Sequence, residues 1–511
     1  MSSVKAEAKS EALKKVLYPA PRTLLAMLAF VGPGVVWAAE AIGSGELILS
    51  TRLGAAFGLM LLWVPTWAVI LKNLGPGYLH GRWALVFGEG AMDMYAKIPP
   101  RRVWPIIFGI LHILAGAMSI GGLAASVGVV VWTLAGKAGP VQAYTAGMYI
   151  ITLIIALLGI YTLLEVLFTG MMAAMVVVTV VLAVLAAPPI IDIIKGSFAI
   201  GYIKPPAEWA TKQAPGIEPV PLDPLLSVLP VLAWAAGGSA SHVWYSYWVV
   251  GSKLFGLARY GEWGRPGDIS KYKEFTEEDW KDMKAWIKTQ ILDALMACIL
   301  TVIVIDAFFI AGAQILAPRK LLPGGIKLAE VIGEMYTAYL GPRALFFVLV
   351  GALFILWSTN ISQTTGWPIL IMDGLRYIYP KITEKIKPQT LRRIIAILLG
   401  LWSLAWALGY ATAPVTLITW ASILDGALLV ALQGILSIVG WLYVAPRELS
   451  KVMPKEKVKE LIPRVPIVIN AVCTILYTLL HSLVGRKNTR FDKVTKLCRF
   501  RYQRFGGRDS H

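Results

Sequence analysis

The chain has 511 residues, of which 57% are hydrophobic and only 15% charged, with a formal net charge of +18. Soluble domains carry about 25% charged residues, and apolar runs of 18 or more recur here along the whole length. These features exclude a soluble fold and indicate an all-α polytopic membrane protein. Three widely separated cysteines, Cys298, Cys473 and Cys498, form no CxxC, which argues against a disulfide framework or a zinc site.

The first 20 residues hold four lysines and no long apolar core, so no cleavable signal peptide is expected. Residues 1–23 read as a cytoplasmic segment, 24–485 as one transmembrane domain and 486–511 as a basic tail. Eleven spans are expected, at about 24–54, 57–79, 103–135, 141–163, 166–188, 225–250, 286–315, 341–372, 391–411, 414–445 and 464–485. The first and sixth are broken. The longest loops are 189–224 and 251–285, and Glu277-Glu278-Asp279 opens the amphipathic start of span 7.

Lys and Arg number 29 in the segments on the N-terminal side and eight on the other. This bias predicts a cytoplasmic N-terminus in a plasma-membrane, multi-pass protein, and explains the basic charge without a nucleic-acid partner. The tail carries nine more basic residues, and an odd number of spans places it on the outer side, against the bias.

Span 1 is interrupted by Gly43-Ser44-Gly45-Glu46, with Glu40 just before it. A broken helix in lipid frees backbone polar groups, which must line a cavity or be buried in protein. Ionisable groups at that depth cost roughly 2.5–3.5 kcal/mol on insertion scales and are usually functional. Span 6 carries a second small, polar interruption, Ala235-Ala236-Gly237-Gly238-Ser239-Ala240-Ser241-His242. Interrupted helices at matching positions of two halves point to a secondary transporter with a midplane site. Small residues also serve plain helix packing, so either break alone is weaker evidence.

Span 8 holds a polar run, Ser358 to Gly366, in which Asn360, Gln363 and Thr364 are expected to line the pathway. Asp306 in span 7 and Asp425 in span 10 are expected to relay protons or to pair with a buried cation such as Arg52 or Lys72. His112 and His481 read as structural.

The first span resembles the Nramp divalent-metal transporter family. Its pattern of GPG, eight residues, DPGN, seven residues and GA-x-FG-Y-x-LLW is met by Gly32-Pro33-Gly34, Gly43-Ser44-Gly45-Glu46 and Gly54 to Trp63 at the same spacing. The Trp244–Lys253 segment resembles it more weakly. This resemblance implies a LeuT-like 5+5 inverted repeat with broken helices 1 and 6, plus one extra C-terminal span. The family's metal-binding aspartate falls on Gly43, its proline on Ser44 and its asparagine on Glu46. Its carbonyl donors fall on Glu40 and Ala236, and its Met-Pro-His on Ser239-Ala240-Ser241. The soft thioether is absent, and the remaining oxygens suit Mg²⁺, Ca²⁺ or Mn²⁺ better than Fe²⁺ or Zn²⁺.

The substrate-binding candidates are therefore Glu40, Gly43, Ser44, Glu46, Ala236, Ser239 and Ser241, with Glu40, Glu46 and His242 as proton-coupling candidates. Ile42-Gly43-Ser44-Gly45 also resembles the break of amino acid–polyamine–organocation transporters, which leaves an amino-acid cargo open. A membrane scaffold or sensor is the remaining class. No HExxH, GxSxG or Walker A sequence is present, so neither an enzyme nor a resident cofactor is expected. The expected partners are the lipid bilayer and a small ion or solute.

Overall fold

A computed structural model of the chain describes residues 16–158, 161–212, 218–480 and 482. Residues 1–15, the basic tail and His481 lie outside these. No strand occurs among the described residues. Eight helices are long and apolar enough to cross a membrane, and two bent pairs bring the number to ten. The first expected span is not among them, because each of its pieces is short.

That span, α1, consists of α1a (Pro33–Ala41) and α1b (residues 45–57). Then follow α2 (Leu59–Phe87), α3 (Val103–Leu134), α4 (Val141–Leu158) and α5 (Tyr161–Leu185). The second half opens with α6a (Pro224–Trp234) and α6b (Ser239–Ser252). It continues with α7 (Glu277–Leu316), α8 (Pro342–Leu375), α9 (Pro388–Gly409) and α10 (Pro414–Leu449), and α11 (Arg464–Leu480) is the extra span. Each half of five thus begins with a broken helix, as the LeuT-like repeat requires.

Helix starts follow local chemistry. Thr276 and Asp279 form a reciprocal capping box at α7, so Glu277-Glu278-Asp279 opens that helix as read from the sequence. Asp223 caps α6a through the Leu225 N–H, with Pro224 at the first helical position. Helix α1a has no capping side chain of its own. Asp293 of α7 instead accepts from the Gly32 and Gly34 N–H groups at 3.0 and 2.9 Å.

Two groups of helices stand out by their mutual packing. Helix α3 lies against α4, α8, α9 and α10, while α1, α2, α6 and α7 pack on one another. The breaks of α1 and α6 belong to the second group, and α8 and α10 border them from the first.

Two stretches differ from the sequence reading. The 189–224 loop contains a helix, Ile190–Phe198, bent 110° from α5. Pro188-Pro189 stops α5, and Ile190, Ile194 and Phe198 stay exposed on one face, as suits a helix lying along an interface. Helices α2 and α7 extend well past their expected ends, because buried polar and aromatic side chains continue their inward faces beyond the apolar run.

Candidate functional site

In α1 the helix ends at Ile42, whose ψ of 96° leaves the helical region, and resumes at Gly45. In α6 it ends at Ala235, and Ala236 and Gly237 both take positive φ, 61° and 74°. Only glycine enters that region without cost, so Ala236 holds a strained backbone. Gly45 lies directly against the Trp234 carbonyl, where a Cβ would come within 2.8 Å. The two breaks therefore touch.

Glu46 joins them. It is fully buried, and its carboxylate accepts from the Gly43 N–H at 3.0 Å and from the Ala236 N–H at 3.3 Å. One side chain thus satisfies a freed donor on each broken helix. Glu40, one turn before the break, accepts from the Ser241 hydroxyl of α6b. The freed carbonyl of Ile42 is met by Thr359 of α8 at 3.2 Å.

The α6 break is held by α2 and α10. Lys72 is fully buried and donates to the Ala233 and Gly237 carbonyls, each at 2.7 Å. Asp425 of α10 caps α6b, accepting from the Ser239 hydroxyl at 2.7 Å and the Ala240 N–H at 3.2 Å. It also accepts from the Trp234 indole at 3.2 Å, and His112 of α3 lies 3.5 Å away. Gln433 of α10 donates to the Ser239 carbonyl and bonds His242 Nδ1 at 2.7 Å.

Between the breaks lies a pocket with an empty volume of about 340 Å³, counting the space at its mouth. Its polar lining includes Glu40, Ser44, Ser241, Thr359, Gln363 and Asp425, and three tryptophans, Trp234, Trp244 and Trp367, wall it.

The structure thus brings Glu40, Gly43, Ser44 and Ser241 to the pocket, and Ala236 and Glu46 directly behind it. Ser239 turns to Asp425 and His112. His242 is not in the lining, because its ring packs edge-on to Trp37 and bonds Gln433. Of the three pathway candidates, Gln363 lines the pocket. Asn360 and Thr364 do not: Asn360 bonds the Ile120 carbonyl of α3, and Thr364 bonds its own helix.

The expected ion pairs also differ. Asp306 accepts from Thr66, and Arg52 donates to the backbone carbonyls of Pro323 and Glu218. Lys72 goes to carbonyls, and Asp425 faces His112. Sequence reasoning missed Asp425 as a pocket residue and Lys72 as a brace for the α6 break. The signal available was a lone charge in each of two apolar runs.

Two charged networks tie the loops and helix ends beyond the breaks. In one, Glu218 accepts from Gly325 N, Val415 N and Thr416 N at 2.8, 3.1 and 2.7 Å, joining three loops beside Arg52. In the other, Arg376 pairs with Asp93 at 2.6 Å and Asp373 at 2.5 Å, while Tyr247 donates to Asp373. Among the described residues no group of three or more His, Cys, Asp and Glu has the arrangement of a metal-ligand cluster.

No family model matches the chain. An uncharacterised protein of Pasteurella multocida is 23% identical over 380 residues, covering 73% of this chain and 76% of that one. A variant of the Eremococcus coleocola manganese transporter superposes with a TM-score of 0.60 at 13% identity, covering 92% of this chain and 96% of that one. The same transporter bound to an aromatic bis-isothiourea compound gives 0.59 at 15% identity, over 91% and 90%. MhsT in complex with L-phenylalanine gives 0.50 at 14% identity, over 91% and 99%. At these identities the likeness is one of fold, and the chain has the LeuT-type fold that these structures share.

Proposed function

We propose that the chain is a secondary transporter of the Nramp-like kind that moves a hard divalent metal cation by alternating access, with proton coupling. The observation that carries this reading is the pocket between the two breaks, whose only acidic lining groups among the described residues are Glu40 and Asp425. Two carboxylates match the charge of a divalent cation. The remaining polar donors are hydroxyl, amide and backbone oxygens, with no imidazole or thioether among them. Such a set favours Mg²⁺ or Mn²⁺ over Fe²⁺ or Zn²⁺. Mg²⁺ in particular keeps several waters and is commonly held by one or two carboxylates, so it needs no three-acid cluster.

Glu46 has a different part. It bridges both breaks from behind the pocket, within electrostatic reach of Lys72. We assign the coupling proton to this bridge. Protonating Glu46 removes an ionic acceptor from two backbone donors at once, and so loosens α1 from α6. The tied networks at Glu218 and at Arg376 are the two gates that open in turn.

The measurement is a binding and uptake panel on purified protein with Mg²⁺, Mn²⁺, Fe²⁺, Ca²⁺ and a set of amino acids. Divalent cations should bind, and Glu40→Gln should weaken that binding by about tenfold or more, the loss of one charge-assisted contact. Glu46→Gln should flatten the pH dependence of uptake into proteoliposomes; an unchanged pH profile removes Glu46 from the coupling. The three tryptophans of the lining favour a second reading, an amino acid or other organic solute. Binding of amino acids with no response to any divalent cation would establish it in place of the first.

A further inference from the structure

Lys72 is the one buried lysine among the described residues, and its ammonium ends on two carbonyls rather than on a carboxylate. The position of those carbonyls gives the contact its meaning. Ala233 lies in the last turn of α6a, and Gly237 lies in the unwound link to α6b. A helix C-terminus carries about half a negative charge. In transporters with broken helices, half-helix C-termini and unwound carbonyls are the groups that coordinate a sodium ion. Here a side chain from the neighbouring helix already fills that position.

Glu46 of α1b and Asp425 of α10 lie within electrostatic reach of the Lys72 ammonium, as do Cys473 of α11 and His242 of α6b. The backbone of α2 also bends at this point. A π-helical stretch, Asn73–Gly77, begins at the next residue, and Gly75 inside it is non-helical at φ −94° and ψ −108°. Gly77 within the same stretch is pressed against the Trp37 ring of α1a. The bend follows Lys72 directly, so that α2 meets α1a through Gly77 and α6 through Lys72.

We propose that Lys72 is a tethered cation occupying a monovalent-cation site at the α6 break, so that the protein takes up no sodium ion there. The idea rests on the transporter reading for its meaning, but not for its test, which follows stability and needs no cargo. In wild-type protein the ammonium satisfies both carbonyls and offsets the helix end. Removing it leaves two buried acceptors and an open site that a free cation of similar size can enter.

The test is thermal melting of the purified full-length chain in NaCl, KCl and choline chloride at matched ionic strength. Wild-type melting should be the same in all three. Lys72→Met keeps the side-chain length without the charge, and its Tm should fall by at least several degrees in choline chloride. NaCl should restore much of that loss. Lys72→Ala leaves more room, and ethylammonium should rescue it where tetramethylammonium, too large to enter, does not. Specific stabilisation of the wild type by sodium would overturn the proposal, because the site would then be open. A Lys72→Met protein as stable as wild type and blind to cations would also overturn it, reducing Lys72 to packing. Should neither variant fold, Lys72→Arg decides: sodium-blind melting sustains the tethered cation, and sodium-dependent melting rejects it.

Discussion

The two breaks solve the same physical problem in opposite ways. In α1, the freed Gly43 N–H is satisfied by Glu46, three residues along the same chain segment, and the freed Ile42 carbonyl by a neutral hydroxyl. In α6, the freed groups are satisfied by side chains that arrive from α1, α2 and α10: Glu46, Lys72, Asp425 and Gln433. The first break is closed partly from within and partly by Thr359 of α8, and the second is held by four side chains from outside. A break held by fewer outside groups is freer to move as a unit. A break held from outside must release its partners before it moves, which ties the motion of α6 to α2 and α10. On the proposed alternating-access reading, opening of the site is therefore governed by the α6 contacts more than by the α1 contacts.

The largest effect should come from Asp425. Asp425→Asn keeps the shape but replaces one acceptor oxygen with a donor, while Ser239, Ala240 and Trp234 all present donors. One of them must lose its partner in a fully buried site. A loss of about 2–3 kcal/mol is expected, on the scale of hydrogen bonds to a buried charge. Differential scanning fluorimetry on the purified protein would show it as a lowered Tm. An unchanged Tm would mean that α6 is not held through α10, and the contrast between the breaks would fail. Thr359→Val should matter less. It preserves volume and removes one neutral hydroxyl, worth about 1 kcal/mol, whose proton is shared between the Ile42 carbonyl at 3.2 Å and the Ile355 carbonyl of its own helix at 3.0 Å. A larger loss at Thr359 than at Asp425 would reverse the ranking.

The sequence carried the fold further than it carried the site. Glycines in mid-span are a local signal, and both interruptions lie where the residues placed them. The α7 cap was legible for the same reason, since Thr276 to Asp279 is a short-range pattern. The choice of which charged residues face the pocket was not legible, because it depends on rotation of one helix against another. Glu46 reads as a pocket residue beside the glycines, yet it turns toward Ala236. Asp425 stands 186 residues from its hydrogen-bond partner Ser239, and Lys72 stands 165 from Gly237, so no local pattern links them. Asn360 and Thr364 read as pathway residues from polarity alone, whereas in lipid a polar side chain is equally served by a neighbouring backbone carbonyl.

The smallest expected effect is at Ala236, and it tests whether strain or partners set the α6 break. A non-glycine residue at φ 61° costs about 1–2 kcal/mol. Ala236→Gly relieves that cost. It also loses about 0.5–1 kcal/mol to greater chain freedom in the unfolded state, and gives up a fully buried methyl worth about 0.8 kcal/mol. These contributions nearly cancel, so the Ala236→Gly protein should melt close to wild type. Gly237→Ala, one residue on, has no such compensation: it adds strain at φ 74°, and its methyl would run into the Ser241 side chain that donates to Glu40. The pair should therefore respond unequally, with Ala236→Gly near neutral and Gly237→Ala clearly destabilised. A marked gain in stability from Ala236→Gly would show that backbone strain at the break outweighs its outside contacts. Near neutrality leaves Lys72 and Asp425 as the groups that hold α6 in place.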